Sequence, residues 1–333
     1  MTAESMPLRI GPVALDNPVI LAPMSGVTDM PFRRLVRRMG AGLVVSEMIA
    51  SEAAIRANRQ TQRMSTIAFD EAPASVQLAG CEPEVMAEAA RLNEDKGAAI
   101  IDINMGCPAK KVVNGDAGSA LMKDESLAAR ILDAVVKAVR LPVTLKMRTG
   151  WDEANRNAPR LACIAESCGI RMITVHGRTR CQLYEGSADW AFLREVKDAV
   201  TIPVIVNGDI VDLDGVRRAL ALSGADGVMI GRGAYGRPWF LKQAIAMLRG
   251  EPVPSEPSLA EQGALVHEHY EAMLCHYGAG PGLRVARKHV AWYSKGLPGS
   301  AEFRAAFNRI DEPRAAIAAI RGFYQPLLER QAA

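Results

Sequence analysis

The sequence predicts a (β/α)8 TIM barrel followed by a small C-terminal helical domain. Three observations predict it. Eight short apolar or β-branched runs recur over about 230 residues, a stretch of helical periodicity separates neighbouring runs, and each run ends in polar or chemically capable side chains. An open doubly wound sheet is the alternative arrangement of the same alternation.

The runs are residues 19–24, 42–48, 74–80, 98–104, 142–148, 172–178, 203–209 and 227–233. Helical patterns cover residues 83–96, 121–139, 158–168 and 211–223. In a barrel each strand's apolar part precedes polar residues that gather at the C-terminal mouth. The tips carry Met24 and Ser25, Glu47, Gln77, Asn104 with Cys107, Lys146 with Arg148, His176 with Arg178, Asn207 with Asp209, and Arg232. Solvent exposure explains any one of these; eight together favour a common site.

The stretch around which the chain is organised runs from Asp102 to Pro108. An Ile-rich strand is followed at once by Asn104 and Cys107, with Gly106 and Pro108 stopping regular structure. A polar loop, 109–119, then leads to the next helical pattern, which is how α/β enzymes build sites. A small buried hydrophobe is the bland reading of a cysteine; its place at a strand mouth favours the functional one.

At 333 residues, 49% hydrophobic and 23% charged, the chain has room for a large core. The net charge of +3 makes no case for nucleic acid by itself, so such a role requires a local basic patch. Six cysteines, at 81, 107, 163, 168, 181 and 275, form no C-x-x-C pair, which points away from a metal site or a disulfide framework. No run nears the roughly 18 apolar residues of a membrane span, and the start lacks signal-peptide features. A reduced, cytoplasmic protein is expected, with no membrane or metal partner, acting as a monomer. There is no internal repeat beyond the alternation and no low-complexity tract.

The expected division is a barrel over 1–248, a Pro-rich linker over 249–257 and a helical domain over 258–333. Ser258 and Glu261 have capping-box spacing for its first helix, and helical patterns follow over 283–297, 301–310 and 313–328. Arg284, Arg287, Lys288 and Lys295 fall within about 100° on a helical wheel. From Arg284 to Arg309 six Lys or Arg face one acid, Glu302. Such a run is usually a solvated face, but one-sided on an appended domain it favours phosphate binding.

Phosphate in barrels is often held by the loops after strands seven and eight. Here these are Asn207-Gly208-Asp209 and Gly231-Arg232-Gly233, where glycines allow close backbone approach and Arg232 adds a cation. Lys146, inside an apolar strand, is costly unless it faces an anion or an electron-rich acceptor, an internal salt bridge being the structural alternative. Together with Gln77, His176 and Met24 it suggests flavin mononucleotide, while other phosphorylated ligands stay open on physical grounds.

These residues carry a resemblance. Leu21-Ala-Pro-Met-Ser-Gly-Val-Thr-Asp-Met-Pro-Phe-Arg33, Asn104-Met-Gly-Cys-Pro108, Leu145-Lys-Met-Arg148, His176-Gly-Arg-Thr179, Asn207-Gly-Asp209 and Gly231-Arg-Gly233 resemble the motifs of bacterial tRNA-dihydrouridine synthases, in particular the B-type subgroup, from about Leu8 to the C-terminal helices. The resemblance implies an FMN barrel that reduces uridine in the tRNA D loop with NADPH or NADH, and a helical RNA-binding domain. By position Pro23, Met24, Ser25, Gln77, Lys146, Asn207, Gly208, Asp209, Gly231 and Arg232 are implied to bind FMN, with His176 beside it. Ser25 stands where many members have Ala.

Uracil's C5=C6 bond is conjugated to the C4 carbonyl, so hydride added at C6 leaves charge toward C5 that a proton must quench. A thiol is mostly protonated at neutral pH, which makes Cys107 the expected donor; the resemblance assigns it the same role. Cys181 is the rival thiol by location, whereas Cys163 and Cys168 fit a structural place in a helix. Asn104 and Arg148 are expected at the uracil edge and Arg178 at substrate or phosphate. The target base must swing out of the folded tRNA. Two other readings are a flavin reductase of a free pyrimidine or small enone, which needs no basic tail, and an RNA-binding barrel without catalysis, which needs no flavin.

Overall fold

The computed structural model describes residues 7–55 and 66–332. An antiparallel hairpin, β1 (Arg9–Ile10) and β2 (Val13–Ala14), comes first. The barrel strands are β3 (Val19–Leu21), β4 (Leu43–Val45), β6 (Ala74–Ala79), β7 (Ile100–Met105), β8 (Val143–Arg148), β9 (Ile173–His176), β10 (Val204–Asn207) and β11 (Gly227–Ile230), with the short β5 (Ile49–Ala50) beside β6. They pair in parallel in chain order, β4 to β6 across β5, and β11 returns to β3. The closed barrel, not the open sheet, is the architecture.

Strand alternation explains how a barrel with an apolar outer wall acquires a polar interior. In β7 Ile101, Ile103 and Met105 pack into the large core under the helices, and in β8 Val143, Leu145 and Met147 do the same. The alternate positions, Asp102 and Asn104, then Thr144, Lys146 and Arg148, turn inward. Register places them side by side: Gln77 opposite Asp102, Asp102 opposite Thr144, Asn104 opposite Lys146, and Arg148 opposite His176. The N-terminal end of the interior is apolar instead. Leu8, Ile10 and Leu15 of the hairpin segment pack there with Ile20, Leu43, Ile100, Ile205 and Met229. The hairpin is therefore a bottom plug, and the C-terminal mouth is left for chemistry.

Most strands end two or three residues before the runs read from sequence, because the tip side chains leave the ladder to line the mouth. The helical pattern over 121–139 is two elements. A 3-10 turn, Gly118–Lys123, is separated from the helix Glu125–Ala138 by Asp124, whose carboxylate accepts the Leu127 N–H at 2.9 Å. Apolar Leu121 and Met122 continue the helical periodicity and hide this cap.

After the last barrel helix, Phe240–Leu248, the Pro-rich stretch has no regular structure but is held down. Glu256 accepts hydrogen bonds from the Trp239 indole and from Arg237. The helices Leu259–Tyr277, Ala279–Ser294, Ser300–Phe307 and Pro313–Ala332 follow. The Ser258 and Glu261 capping box forms as the spacing predicts. These helices enclose a second core around Tyr270, Met273, Leu283, Val290 and Phe307, joined by Trp239 from the barrel side.

One buried ion pair fixes the first crossover. Arg33, on the helix Met30–Arg38, donates to Glu71 at 2.6 Å and to the carbonyls of Thr28 and Thr66, and both charged side chains are sealed from solvent. Removing one partner leaves the other charge buried and unpaired. Glu71→Ala is expected to cost about 3–5 kcal/mol, read by urea unfolding; a loss below about 1 kcal/mol would contradict this account.

Candidate active site

The mouth holds a cavity of about 970 Å³. Of the barrel residues expected at the site, Pro23, Met24, Ser25, Gln77, Asn104, Cys107, Lys146, Arg148, His176, Asn207, Gly208, Asp209, Gly231 and Arg232 line it, whereas Arg178, the strand tip Glu47 and the rival thiol Cys181 do not. The eight strand tips thus converge on one chamber.

One half of the chamber is ordered by a chain of hydrogen bonds that starts at Asp102. Its carboxylate accepts from the Thr144 hydroxyl at 2.5 Å and from Gln77 Nε2 at 2.6 Å. With its nitrogen turned to Asp102, Gln77 presents Oε1 to Asn104 Nδ2 at 2.7 Å. Asn104 Oδ1 in turn accepts the backbone N–H groups of Gly106, at 3.1 Å, and Cys107, at 2.9 Å. Each amide orientation follows from the one before it, because an acceptor-only carboxylate stands at the base. Burial raises the Asp102 carboxyl above its ordinary range, opposed by the Thr144 and Gln77 hydrogen bonds and by the Lys146 charge. From the far side Ser119 donates its N–H and hydroxyl to the Cys107 carbonyl, at 3.1 and 2.9 Å. The half-buried thiol therefore sits on a backbone gripped at both faces. Asn104 Nδ2 also faces Met48 Sδ at 3.8 Å. Its amide is fully engaged, which makes it a holder of the Cys107 loop instead of a contact to a base edge.

Lys146 and His176 stand at the centre. The Lys146 ammonium meets Asn207 Oδ1 at 3.1 Å, and Asn207 is fixed by its own bond to the Met229 carbonyl. Burial, with the nearby Arg148, pushes the Lys146 pKa down to about 8. The same burial, together with Lys146, Arg148, Arg178 and Arg232, holds His176 well below its ordinary value, so its ring is neutral at physiological pH. Arg148 donates to the carbonyls of Gly106, Thr179 and Leu183 at 2.9, 2.7 and 2.9 Å, which leaves Nη2 for the cavity.

The other half is built on Asp209. Its carboxylate receives Arg178 through both amino groups, at 2.9 and 2.6 Å, Arg232 at 2.8 Å and the Ala188 N–H at 2.8 Å. Burial works against its charge, but these donors hold the carboxyl below the usual range. Arg178 is the correction to the sequence reading. It is 2% exposed and also donates to the carbonyls of Glu185 and Gly186, so it braces Asp209 and the 185–186 segment and is not free for substrate. Gly208 has φ 112°, and a Cβ there would lie 2.6 Å from the His176 ring. The Gly208 position thus requires glycine, and the space it leaves keeps the backbone open to a ligand.

The tail cations do not form one open stripe. Arg287 bonds Asp311 and the Ile310 carbonyl at 3.0 and 2.9 Å, and Lys288 turns to the barrel, its Nζ beside Gly26. Arg284 and Lys295 are exposed. Sequence reasoning missed Met48, Lys110, Arg180, Leu183, Tyr184 and Tyr235, which also line the cavity. Met48 ends the run 42–48 as an apolar residue beside the polar Glu47, and the others lie in loops past the strand tips, where periodicity carries no information. The signal available for Leu183 and Tyr184 was two large apolar residues in a Gly- and charge-rich loop; they are 42% and 58% exposed at the mouth.

No helix among the described residues is long and apolar enough to cross a membrane, and no cluster of three or more potential metal ligands occurs among them. Comparison with known proteins bears on the same site. The model of the family described as "Dihydrouridine synthase (Dus)" matches residues 20–328. The probable tRNA-dihydrouridine synthase of Rickettsia conorii is 59% identical over 323 residues, covering 97% of this chain and 98% of that one. tRNA-dihydrouridine synthase B of Pseudomonas aeruginosa is 50% identical over 318 residues, covering 95% and 96%. Among solved structures, histamine dehydrogenase from Rhizobium sp. 4-9 shares the fold, with a TM-score of 0.58 at 13% identity over 94% of this chain and 64% of that one. A family match over nearly the whole chain, on a barrel whose mouth gathers Cys107, Lys146, His176 and the two glycine loops, places this protein in the dihydrouridine synthase family.

Proposed function

We propose that the protein reduces the C5=C6 bond of uridine in the D loop of tRNA, using FMN held in the barrel mouth and NADPH or NADH as reductant. It acts in the cytoplasm as a monomer, without a metal. The observation that carries this reading is the convergence of the Cys107 thiol with Lys146, Arg148 and the Gly208 and Gly231 loops in one cavity of about 970 Å³, at the top of the range for small-molecule sites.

The residues present fit a flavin. Lys146 and the second Nε2 hydrogen of Gln77 supply donors for a ring's polar edge. Met24 supplies an apolar face, and the Gly231 loop, with Arg232, supplies backbone approach and a cation for the phosphate. When bound, FMN supplies the hydride that reaches C6, renewed from the nicotinamide reductant. The remaining work is the chain's. Arg148 Nη2 faces the charge that develops toward the C4 carbonyl, and Cys107 gives its proton to C5 from a loop fixed by Asn104 and Ser119. Neutral His176 adds no further positive charge beside Lys146. The helices from Leu259 on supply the RNA surface, with Arg284 and Lys295 the exposed cations of the expected set and Lys288 next to the mouth.

Two outcomes test this. In a strain lacking the gene, tRNA dihydrouridine is expected to disappear, to return with the wild-type gene, and to stay absent with a flavin-loaded Cys107→Ala protein whose turnover has fallen about 10²–10⁴-fold. Unchanged dihydrouridine in a strain with no second synthase refutes the function. The second test is pH. Because the Lys146 pKa is depressed from 10.5 to about 8, the unfolded chain holds the extra proton between those values, and the apoprotein gains stability as pH rises through that window. FMN binding should run the opposite way, weakening as pH rises through about 8 and the ammonium is lost. Lys146→Met should abolish both pH dependences and weaken FMN at least about tenfold, read by fluorescence titration and by thermal unfolding of the apoprotein across pH 7–10. A variant that loses stability and keeps FMN would remove Lys146 from the cofactor site.

A further inference from the structure

We infer that Arg180 and Lys123, both carried on the indole of Trp151, form a clamp for an RNA phosphodiester at the rim of the cavity. The inference rests on the tRNA reading and deepens it.

Trp151 lies in the loop after β8, half-buried, with Lys123 Nζ 4.3 Å and the Arg180 guanidinium 4.6 Å from its ring centroid. Two cations gathered on one ring repel each other, and among the described residues neither has a carboxylate partner within 4 Å. The contrast with Arg156 is close at hand, since that neighbour pairs with Asp189 at 2.9 Å. Arg180 Nε is buried and has no hydrogen-bond partner, while the residue lines the cavity. A buried Nε without a partner occurs on the paired Arg156 and Arg287 as well; what sets Arg180 apart is that, among the described residues, no carboxylate or carbonyl takes its amino groups, which leaves them to an anion in the cavity it lines.

The platform is rigid. The loops after β8 and β9 are laced by backbone bonds from Thr149 to Arg178, from Arg180 to Gly150 and from Cys181 to Trp151, at 3.2, 2.9 and 2.9 Å. Trp151 donates its N–H to the Asn155 carbonyl at 3.1 Å. A Cβ at Gly150 would come within 2.0 Å of that same carbonyl, so the turn admits only glycine. Lys123 ends the 3-10 turn whose Ser119 grips the Cys107 carbonyl. The clamp therefore joins the segment that grips the thiol loop to the loop carrying Arg180, on the side of the cavity that Arg180 lines. Phosphodiester oxygen is the anion that a swung-out nucleotide brings, and Arg with Lys on an aromatic ring suits it.

The test is tRNA binding by the flavin-loaded protein across a salt series. Arg180→Gln and Lys123→Gln should each weaken binding about 3- to 30-fold and reduce the slope of log affinity against log salt by about 0.7, the value for one phosphate on a single strand. The double variant should lose little more slope than either single one, because the phosphate is held only when both cations are present. Trp151→Leu removes no charge yet should reproduce the loss, and Trp151→Phe should restore most of it; retained flavin absorbance reports an intact barrel. Charge variants with wild-type affinity and slope overturn the clamp. Loss of flavin with unchanged tRNA binding overturns it too, by assigning Arg180 to the cofactor. If the wild-type protein itself neither binds tRNA nor forms dihydrouridine, the reading beneath the clamp falls first and the clamp with it.

Discussion

The site depends on one buried carboxylate. Asp102 stands on the inward face of β7, 3% exposed, with no charged partner in hydrogen-bond contact among the described residues. Placing an acid there opposes the hydrophobic logic of a barrel interior, and burial raises its pKa accordingly. What the acid supplies is direction. A carboxylate only accepts, so Gln77 has one way to turn, Asn104 then has one way to turn, and two backbone N–H groups under Cys107 are fixed as a result. An amide at the base could present either end to Gln77. The chain would then tolerate two orientations, and the thiol's position would no longer be set by the strands.

The Asp209 half solves a different problem with the same means. Asp209 sits at φ 54° and follows Gly208 at φ 112°, a conformation that costs free energy outside glycine. Four donors from Arg178, Arg232 and Ala188 over-determine it. Arg178 is the long-range part of this arrangement, since it links the strand-seven loop to the 185–186 segment, while Arg148 bonds the Thr179 and Leu183 carbonyls of the same loop. Two arginines thus hold the feet of the loop that brings Leu183 and Tyr184 to the mouth. Leu183 itself has φ 52°, so the loop is strained where it is exposed and pinned where it is buried.

How much of this was legible in the sequence follows from where each signal lies. Strand number, order and the mouth residues were legible because a parallel barrel repeats one pattern eight times, and a polar tip after an apolar run is visible without knowing what it contacts. Asp102 was visible as a residue but not as a device. It falls inside an Ile-rich run, and only the register that sets it opposite both Gln77 and Thr144 gives it a function. Arg178 was misread because an arginine at a strand tip looks the same whether its partners are a ligand or two loop carbonyls and an aspartate 31 positions on. The tail stripe was misread for a related reason. A helical wheel shows that Arg287 and Lys288 share a face with Arg284, but not that Asp311 and the barrel lie within reach of that face.

The same contacts explain why the helical tail is more than an attached surface. Tyr277 donates to Asp29 at 3.0 Å, and Asp29 is also the cap of the helix Met30–Arg38, accepting the Phe32 N–H. Arg38 pairs with Glu268, the ring of Trp292 stacks on Tyr235 at 4.0 Å, and Gly236 packs against the Trp292 backbone so closely that a Cβ would not fit. Glu47 accepts the Gly26 N–H at 2.6 Å while Lys288 stands beside the same glycine. The turn that carries Met24 and Ser25 into the cavity is therefore bounded on its outer side by the tail. The relative position of the tail and the barrel mouth is thus set by polar and aromatic contacts between them, and not by the connecting chain alone. The turn over residues 24–29 and the tail helices are thereby parts of one contact network, running from the Asp29 cap to the glycine between Glu47 and Lys288.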